Sequence, residues 1–307
     1  MRKQFQSVLV TGGAGYIGTA LVDLLLKGGY KTRVLDSLHA GGEALLSFFA
    51  HKNFDFKKGD IRSKSDVEAA LSGVDAVIHL AGIVGYPACK KEPVFSHDIN
   101  VNGTRNLVGI VGGRLPIFFS STGSVYGKMT EPVCLETTSL NPLTEYSVHK
   151  VEGEKIVAEN KEFVIYRFAT AFGAHYKIRL DLLANDFTMK AVRDKTLVVY
   201  EKDFMRTFIH VRDMAKSFLF ALENYDRMKG EIYNVGDDRM NFSKEQLCNI
   251  IKNKTNCYVH FAETGHDFDQ RDYSVSYDKI RKLGFETKVS LEEGVDEVVK
   301  ISQIYLA

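Results

Sequence analysis

Short apolar runs alternate with helix-sized segments through the first half of the chain. Several of the runs are rich in Val, Ile and Phe, and they lie at residues 7–13, 31–36, 53–60, 74–82, 115–121 and 163–168. Runs of this length, separated by helix-sized spacers, are typical of a buried parallel sheet with crossover helices. The pattern therefore predicts an α/β fold built on a doubly wound parallel sheet.

The regular alternation weakens after Phe168. The following segment predicts a helix that ends near Asp194, "LVVY" at 197–200 predicts a strand, and later segments are mixed short helices and strands. We therefore predict a large domain of residues 1–168, to which 209–235 returns, and a smaller C-terminal α/β domain of 169–208 and 236–307. Because no Pro- or Ser-rich linker separates them, we expect close packing with a cleft between the two domains.

Composition and charge exclude several classes of function. With 40 basic and 39 acidic residues in 307, the chain lacks the charge of a nucleic-acid or membrane-surface binder, and we expect a small soluble partner. The opening "MRKQFQSVLVTGG" has no apolar stretch long enough for a signal peptide or a membrane span, which predicts a cytoplasmic protein. The four cysteines form no CxxC pair and the nine histidines no HxxH pair, so we expect neither a disulfide nor a metal site.

A glycine-rich turn follows the first predicted strand. "TGGAGYIG" places Gly12, Gly15 and Gly18 at three-residue intervals where an apolar helix begins. Such glycines permit a tight turn and let backbone amides approach a pyrophosphate. Asp36 ends the second strand, where a carboxylate can bind ribose hydroxyls and would repel a 2′-phosphate, and Asp60 follows the third strand. Each feature alone fits an ordinary turn, but together they predict a dinucleotide site that prefers NAD.

A tyrosine and a lysine stand four residues apart in "TEYSVHKVEGEK", a segment whose composition predicts a helix. That spacing puts Tyr146 and Lys150 on one helix face. A tyrosine has an ordinary pKa of about 10, which is too high for a base at neutral pH, and a nearby ammonium favours the phenolate. By itself the pair fits an exposed helix contact equally well.

Motifs along the whole length of the chain resemble those of the extended short-chain dehydrogenases/reductases (the NAD-dependent epimerase/dehydratase family), and within it the nucleotide-sugar 4-epimerases. They occur in the family's order: "TGGAGYIG", "LD" at 35–36, "GDI" at 59–61, "HLAG" at 79–82, "INVNGT" at 99–104, "SSTGSVYG" at 120–127, "YSVHK" at 146–150, "RFATAFG" at 167–173, "RTFIHVRDMA" at 206–215 and "RDYSVSYDKIRKLGF" at 271–285. "RLDLLANDF" and "ENYDRMKGEIYNVG" are more loosely similar to a bacterial GDP-heptose 4-dehydrogenase.

The resemblance implies a role for individual residues. Tyr146 would be the general acid/base, Lys150 would hold the nicotinamide ribose, and Thr122 would hydrogen-bond the reacting oxygen. The implied NAD-binding residues are Gly12, Gly15, Tyr16, Ile17, Gly18, Asp36, Asp60, Ile61, Leu80, Ala81, Gly82, Asn100 and Lys150. The implied substrate-binding residues are Val84, Thr122, Thr170, Asn185, Arg206 and Arg271. The two arginines would bind the nucleotide diphosphate, because a guanidinium meets phosphate oxygens bidentately. Arg179 is assigned no role.

Departures from the family's motifs bear on the reaction. The 4,6-dehydratases carry Asp-Glu directly after the motif threonine, whereas this chain has Gly123 and Ser124, so we do not expect dehydration. The UDP-galactose 4-epimerases carry a Lys where this chain has Val84 and an Asn where it has Thr170. Together with a short segment between Thr170 and Asn185, these two changes favour a dehydrogenase or reductase.

The resemblance thus predicts an NAD-dependent oxidoreductase that acts at carbon 4 of a nucleotide-activated hexose or heptose in polysaccharide precursor synthesis. A 4-epimerase of the UDP-glucose 4-epimerase type is the alternative, and a non-catalytic NAD-binding protein is a third hypothesis. By the same resemblance we expect a homodimer formed by the helices that follow Asn100 and Pro142. The sequence predicts neither the nucleotide nor the sugar.

Overall fold

The computed structural model describes residues 4–128, 131–265 and 272–306. Its strands are β1 (Ser7–Thr11), β2 (Lys31–Asp36), β3 (Phe54–Lys58), β4 (Ala76–His79), β5 (Ile117–Thr122), β6 (Phe163–Phe168), β7 (Thr170–Phe172), β8 (Thr196–Tyr200), β9 (Met205–His210), β10 (Glu231–Val235), β11 (Asn241–Ser243) and β12 (Tyr258–Ala262). Each of the six apolar runs predicted as strands contains most or all of one of the strands β1–β6.

The α-helices are α1 (Tyr16–Lys27), α2 (Lys64–Leu71), α3 (Tyr86–Lys91), α4 (Pro93–His97), α5 (Thr104–Val111), α6 (Glu145–Ala158), α7 (Leu183–Asp194), α8 (Val211–Glu223), α9 (Tyr225–Met228), α10 (Lys244–Thr255), α11 (Asp278–Arg281) and α12 (Leu291–Tyr305). A π-helical turn, Asp98–Gly103, joins α4 to α5. In the described ranges, none of the helices is long and apolar enough to cross a membrane.

Seven parallel strands form the central sheet, in the order β10-β6-β5-β4-β1-β2-β3. The chain moves outward from β1 to β3 and then starts again at β4 on the other side of β1. The loops after β1 and β4 therefore diverge, which opens a crevice at the carboxyl ends of the strands. This topology confirms the predicted doubly wound parallel sheet.

Apolar side chains cover both faces of this sheet because successive residues of a strand point to opposite faces. In β1, Val8 and Val10 pack into a layer with α1 and α8, whereas Leu9 packs into the opposite layer with α2, α5 and α6. All three side chains are completely buried. Helices on both faces thus leave the carboxyl edge of the sheet as its open side.

The remaining strands form two small sheets, β11-β9-β7 and β12-β8, which share an apolar cluster with α7, α10 and α12. Before reaching β11, the chain returns to the central sheet, where α8 packs on the same face as α1 and β10 pairs with β6. The domain limits proposed from the sequence stay a prediction.

Candidate active site

The turn between β1 and α1 requires glycine at two of the predicted positions. Gly12 has a φ of +72°, and a Cβ there would lie 2.6 Å from the backbone nitrogen of Ala81. A Cβ at Gly18 would overlap the carbonyl oxygen of Gly12. Gly15 is the N-cap of α1 and has no side chain to cap the first turn. The positive end of α1 therefore faces the crevice, as a pyrophosphate site requires.

Asp36 braces this turn from the end of β2. Its Oδ2 accepts a hydrogen bond from the backbone nitrogen of Ala14 at 2.9 Å, and its Oδ1 accepts one from that of Leu38 at 2.8 Å. A carboxylate can accept about four hydrogen bonds, so these two leave capacity for ribose hydroxyls. The structure thus places the acid that favours NAD beside the glycine turn.

Asp60 and Ile61 follow β3 on the same edge of the sheet. The side chain of Arg62 donates to both oxygens of Asp60, at 3.0 and 2.7 Å, and these hydrogen bonds lower the pKa of Asp60. Ile61 is buried against Gly103. Contacts within the protein therefore hold both of these predicted NAD-binding residues in place.

The predicted residues after β4 form the wall opposite the glycine turn. Leu80, Ala81 and Gly82 follow the strand directly, and Asn100 holds the next residue, Ile83, by accepting from its nitrogen at 2.8 Å and donating to its oxygen at 2.9 Å. A Cβ at Gly82 would lie 2.9 Å from Oδ1 of Asn100. The structure thus favours a role for Asn100 in shaping this wall, and its direct contact with NAD stays a prediction.

Two residues in the first turn of α1 complete the predicted NAD-binding set. Ile17 is half-buried beside the large apolar layer, and Tyr16 is buried. The hydroxyl of Tyr16 donates to the carbonyl oxygen of Gly173 at 2.6 Å, and burial raises the pKa of Tyr16. Tyr16 therefore links the cofactor side of the crevice to the loop after β7.

The predicted catalytic residues come from two neighbouring elements. Thr122 is the last residue of β5, and α6, which carries Tyr146 and Lys150, packs on that strand. A capping box starts α6: Thr144 Oγ1 accepts from the nitrogen of Ser147 at 3.2 Å, and Ser147 Oγ accepts from that of Thr144 at 3.0 Å. This cap fixes the first helical turn, which contains Tyr146.

Lys150 is 5% exposed. This burial excludes the alternative that Tyr146 and Lys150 form an ordinary pair on an exposed helix face. Its ammonium donates to the carbonyl oxygen of Ser120 at 2.7 Å and lies 4.7 Å from the centroid of the Phe119 ring. Burial lowers the pKa of Lys150 to about 8, against the opposing effects of Cys89 and Glu154. A buried ammonium with a lowered pKa at the edge of a crevice is typical of an active site.

The hydroxyl of Thr122 is oriented by the residues that follow it. Its Oγ1 donates to Oγ of Ser124 at 3.1 Å and accepts from the nitrogen of Ser124 at 3.2 Å. Gly123 and Ser124 are both buried and bring no carboxylate to this position. The structure thus places a hydroxyl, without an acid directly after it, at the end of the strand on which Lys150 packs.

The predicted substrate residues differ in how they are placed. Val84 is 38% exposed after the β4 wall, and Thr170 begins β7 half-buried. Asn185 is buried, and its side-chain nitrogen donates to the carbonyl oxygens of Gly173 at 3.2 Å and Arg179 at 2.9 Å. Because both N–H groups of Asn185 are used within the protein, the structure favours a role in shaping this loop over the predicted hydrogen bond to a substrate.

Of the two predicted diphosphate arginines, the structure describes one. Arg206 lies in β9, is 1% exposed and donates from Nη1 to the carbonyl oxygen of Met205 at 2.9 Å. Arg271 lies outside the described residues. The contact of both arginines with a diphosphate stays a prediction.

Arg179, to which the sequence assigned no role, lies in the loop after β7. Its guanidinium pairs bidentately with Asp181, and Nη2 lies 3.7 Å from the position that a Cβ of Gly85 would take. Burial opposes its charge, but Asp181 raises the pKa of Arg179, and the nearby Tyr146 and Tyr16 add to this effect. A permanent cation therefore stands near the predicted general acid/base. The signal in the sequence was "RLD", an arginine and an aspartate two residues apart after a family motif.

Besides the Tyr16–Gly173 hydrogen bond, contacts of the segment after β2 join the two sides of the crevice. Lys177 donates from Nζ to the carbonyl oxygen of Ala40. The rings of Phe48 and Tyr176 lie 5.3 Å apart, and those of His39 and Phe95 lie 5.2 Å apart. The loop after β2 thus reaches both the loop after β7 and helix α4.

The histidine at the end of β4 is part of the fold. His79 is buried between the hydroxyls of Thr11, at 2.7 Å, and Thr104, at 3.0 Å, and burial lowers its pKa to about 3. Over the part of the chain that the structure describes, no group of three or more His, Cys, Asp or Glu residues could hold a metal ion.

Comparisons with known proteins agree with this geometry. The model of the NAD-dependent epimerase/dehydratase family matches residues 8–236. A UDP-glucose 4-epimerase of Cyamopsis tetragonoloba is 32% identical and covers 96% of this chain and 93% of its own. Two solved structures, each 25% identical, have TM-scores of 0.84 and 0.83. They are a UDP-glucose 4-epimerase of Thermotoga maritima with UDP-glucose, covering 98% of this chain and 100% of its own, and a dTDP-glucose 4,6-dehydratase of Bacillus anthracis with NAD, covering 97% of each.

The family match spans most of the chain and includes the glycine turn, Asp36, Thr122 and the Tyr146–Lys150 pair. The match confirms the family that the motifs resemble. Together with the solved structures it also confirms the predicted fold and the predicted cofactor, NAD. The chain therefore belongs to the NAD-dependent epimerase/dehydratase family and is an NAD-dependent enzyme.

Proposed function

We propose that the protein is a 4-epimerase of a nucleotide-activated sugar. The buried Lys150, on a helix that also carries Tyr146 and packs on the strand ending at Thr122, is the observation that carries the proposal. The plant relative, similar over nearly the full length of both chains, is a UDP-glucose 4-epimerase. This similarity favours the epimerase over the dehydrogenase or reductase that Val84 and Thr170 suggested.

The residues of this chain supply the proton transfer. Tyr146 takes the proton of the C4 hydroxyl when the sugar is oxidised and returns it when the 4-keto sugar is reduced on its other face. A bound NAD would supply the acceptor and donor for the hydride of carbon 4. Lys150 favours the phenolate of Tyr146 by its charge, and Thr122 hydrogen-bonds the oxygen on carbon 4. Because Gly123 and Ser124 follow Thr122, no carboxylate stands there to eliminate water.

An epimerase must keep its cofactor through the turnover, because the same hydride returns to the sugar. The contacts of Lys177 with Ala40, Phe48 with Tyr176 and His39 with Phe95 support such retention, since they join the two sides of the crevice in which NAD would lie. A dehydrogenase, by contrast, must release NADH or pass its electrons to another acceptor.

A nucleotide-sugar 4-dehydrogenase or reductase is the second candidate. It is favoured by Val84 and Thr170, which stand where the UDP-galactose 4-epimerases have a lysine and an asparagine. Val84 is partly exposed beside the crevice, so it presents an apolar surface to a ligand where a lysine would present a charge.

A panel of UDP-, GDP-, CDP- and dTDP-sugars tests the proposal. Purified protein is incubated with each sugar while NADH absorbance is followed and the product stereochemistry is determined. We expect the C4 epimer to form without net NADH. NADH accumulating in proportion to product would establish the dehydrogenase instead, and no reaction with any of the sugars would contradict both candidates.

Assembly and domain organisation complete the proposal. We expect a homodimer, in which α6 and the helices after Asn100 form the interface, in the cytoplasm, with the NAD domain limited to 1–168 and 209–235. Val148 of α6 is 39% exposed, which leaves an apolar side chain for such a contact. A monomeric mass by light scattering would refute the dimer.

A further inference from the structure

A buried polar cluster lies directly behind the predicted catalytic residues. Glu154 of α6 and Arg167 of β6 are each 4% exposed. Nη2 of Arg167 lies 2.7 Å from Oε2 of Glu154, and its Nε lies 3.0 Å from Oε1. Ser121 of β5 donates its hydroxyl to Oε1 as well. We call these three residues the Glu154 cluster. A buried ion pair adds little net stability, so stability alone does not explain why these charges are buried beside the predicted catalytic residues.

The Glu154 cluster is linked to the catalytic residues on both of its sides. Glu154 follows Lys150 by one helical turn and Tyr146 by two, so the three side chains lie along one face of α6. Ser121 stands directly before Thr122 in β5. Helix and strand are thus joined twice, by Lys150 Nζ to the oxygen of Ser120 and by Ser121 Oγ to Glu154.

Further contacts fix the position of Arg167, and through it that of the carboxylate. Nη1 of Arg167 donates to the hydroxyl of Tyr126 at 3.2 Å and to the carbonyl oxygen of Glu136 at 3.1 Å. The hydroxyl of Tyr126 in turn donates to Oδ1 of Asn234 at 2.6 Å. The carboxylate of Glu154 is therefore held against a guanidinium that has little freedom to move.

The helix packs closely on the strand at this point. A Cβ at Gly153 would lie 2.8 Å from Cζ of Phe119, the ring above which the Lys150 ammonium lies. With so close a contact, the hydrogen bond from Ser121 to Glu154 sets how far α6 can slide along β5. A slide would change the separation of Tyr146 on the helix from Thr122 on the strand.

We propose that Glu154 is a positioning residue: its carboxylate, held by Arg167 and Ser121, fixes α6 on β5 and thereby sets Tyr146 and Lys150 relative to Thr122. The kinetic test of this role rests on the proposed function, because the reaction measured is the proposed epimerisation. The structural argument rests only on the contacts within the Glu154 cluster.

The charge of Glu154 has a second effect, on Lys150. Burial lowers the pKa of Lys150, and Glu154 opposes this. Cys89 of α3 acts on the pKa of Lys150 in the same direction as Glu154. The charge of Lys150 in turn lowers the pKa of His79 in β4 and of His149 in α6, for both of which burial is the larger cause. Removing the charge of Glu154 while Arg167 remains would therefore lower the pKa of Lys150 further.

The experiment compares wild type with Glu154→Gln, Ser121→Ala and the control Glu159→Gln, which removes a carboxylate from the exposed end of the same helix. A displacement of about 1 Å at a reacting centre can cost about 100-fold in rate. We expect Glu154→Gln to lower kcat at least tenfold, with KM for the sugar and Kd for NAD within about threefold. The alkaline limb of its pH profile should move to lower pH, and Glu159→Gln should behave as wild type.

Ser121→Ala keeps the ion pair and so decides the question if Glu154→Gln fails to fold. We expect about a threefold to tenfold loss of kcat, and a melting temperature lowered by several degrees because a buried hydrogen bond to a carboxylate is lost. Hydrogen exchange measured by mass spectrometry gives a readout without a sugar: residues 120–127 and 145–151 should exchange faster in Ser121→Ala than in wild type. A folded variant with wild-type kcat, pH profile and exchange would overturn the proposal. If wild type converts no sugar, the proposed function fails while the exchange measurement still decides whether the cluster fixes α6.

Discussion

The cofactor side and the substrate side of the crevice are built in different ways. On the cofactor side, Gly12 and Gly18 are required by contacts with backbone atoms, and Asp36 is held by two backbone amides at the end of a buried strand. On the substrate side, side chains direct the loop after β7: Tyr16 and Asn185 both bond Gly173. The cofactor site therefore tolerates few substitutions, whereas a few side chains can remodel the substrate side.

Loss of Tyr146, the predicted general acid/base in the first turn of α6, should have the largest effect. Tyr146→Phe removes only the hydroxyl that transfers the proton, so we expect kcat to fall about 10²- to 10⁴-fold while NAD affinity and melting temperature stay at wild-type values. Steady-state kinetics, calorimetric NAD titration and thermal melting measure the three quantities. Tyr258→Phe, at a residue that is 64% exposed on β12, is the matched control. Wild-type turnover in Tyr146→Phe would remove the assigned role.

A methyl group added on the cofactor side should weaken NAD binding strongly. The Cβ of Gly18→Ala would overlap the oxygen of Gly12, so the turn must shift, and we expect at least about a tenfold loss of NAD affinity. Gly109→Ala in α5 is the control, because nothing lies within 4 Å of its Cβ and alanine stabilises a helix by about 0.5–1 kcal/mol over glycine. If Gly18→Ala binds NAD as wild type does, the backbone does not define the cofactor side.

The rate should depend on pH through Lys150. Because burial lowers the pKa of Lys150 to about 8, its ammonium loses the proton as the pH rises through 8, well below the ordinary value near 10.4. We expect kcat/KM to fall above about pH 8, approaching tenfold per pH unit. Lys150→Arg keeps its charge throughout this range, so its lower activity should lack this alkaline limb. An identical limb in both proteins would assign it to another group.

The smallest effect is expected on the substrate side. Thr170→Asn introduces the residue of the UDP-galactose 4-epimerases at a half-buried position. We expect KM for the sugar nucleotide to change about threefold to tenfold, the range of one or two contacts, while Kd for NAD stays constant. A change in NAD affinity of the same size would show that the two sides are not separable.

The sequence predicts best those features whose structure is determined by residues close together in the chain. Each strand from β1 to β6 is a short apolar run between helices, and Asp36 was placed correctly at a strand end because hydrophobic periodicity marks where strands stop. The turn glycines are similarly local, since their reason is the geometry of a few residues.

Features that depend on distant partners were not predicted. Nothing in "ANDF" shows that both N–H groups of Asn185 meet backbone oxygens at Gly173 and Arg179, because the path of that loop decides it. The Glu154 cluster was missed for the same reason, since Ser121 and Arg167 lie 33 and 13 residues away along the chain.

The late position of β10 in the chain has a consequence for biosynthesis. Helix α1 rests on α8, and the central sheet is complete only when residues 231–235 pair with β6. A ribosome that has made the first 200 residues has therefore released every residue of the glycine turn but not the helix that covers α1. Contacts of such high sequence separation form late and leave apolar surface exposed meanwhile. The nascent chain should thus depend on chaperones until α8 and β10 emerge, and truncations before residue 211 should aggregate.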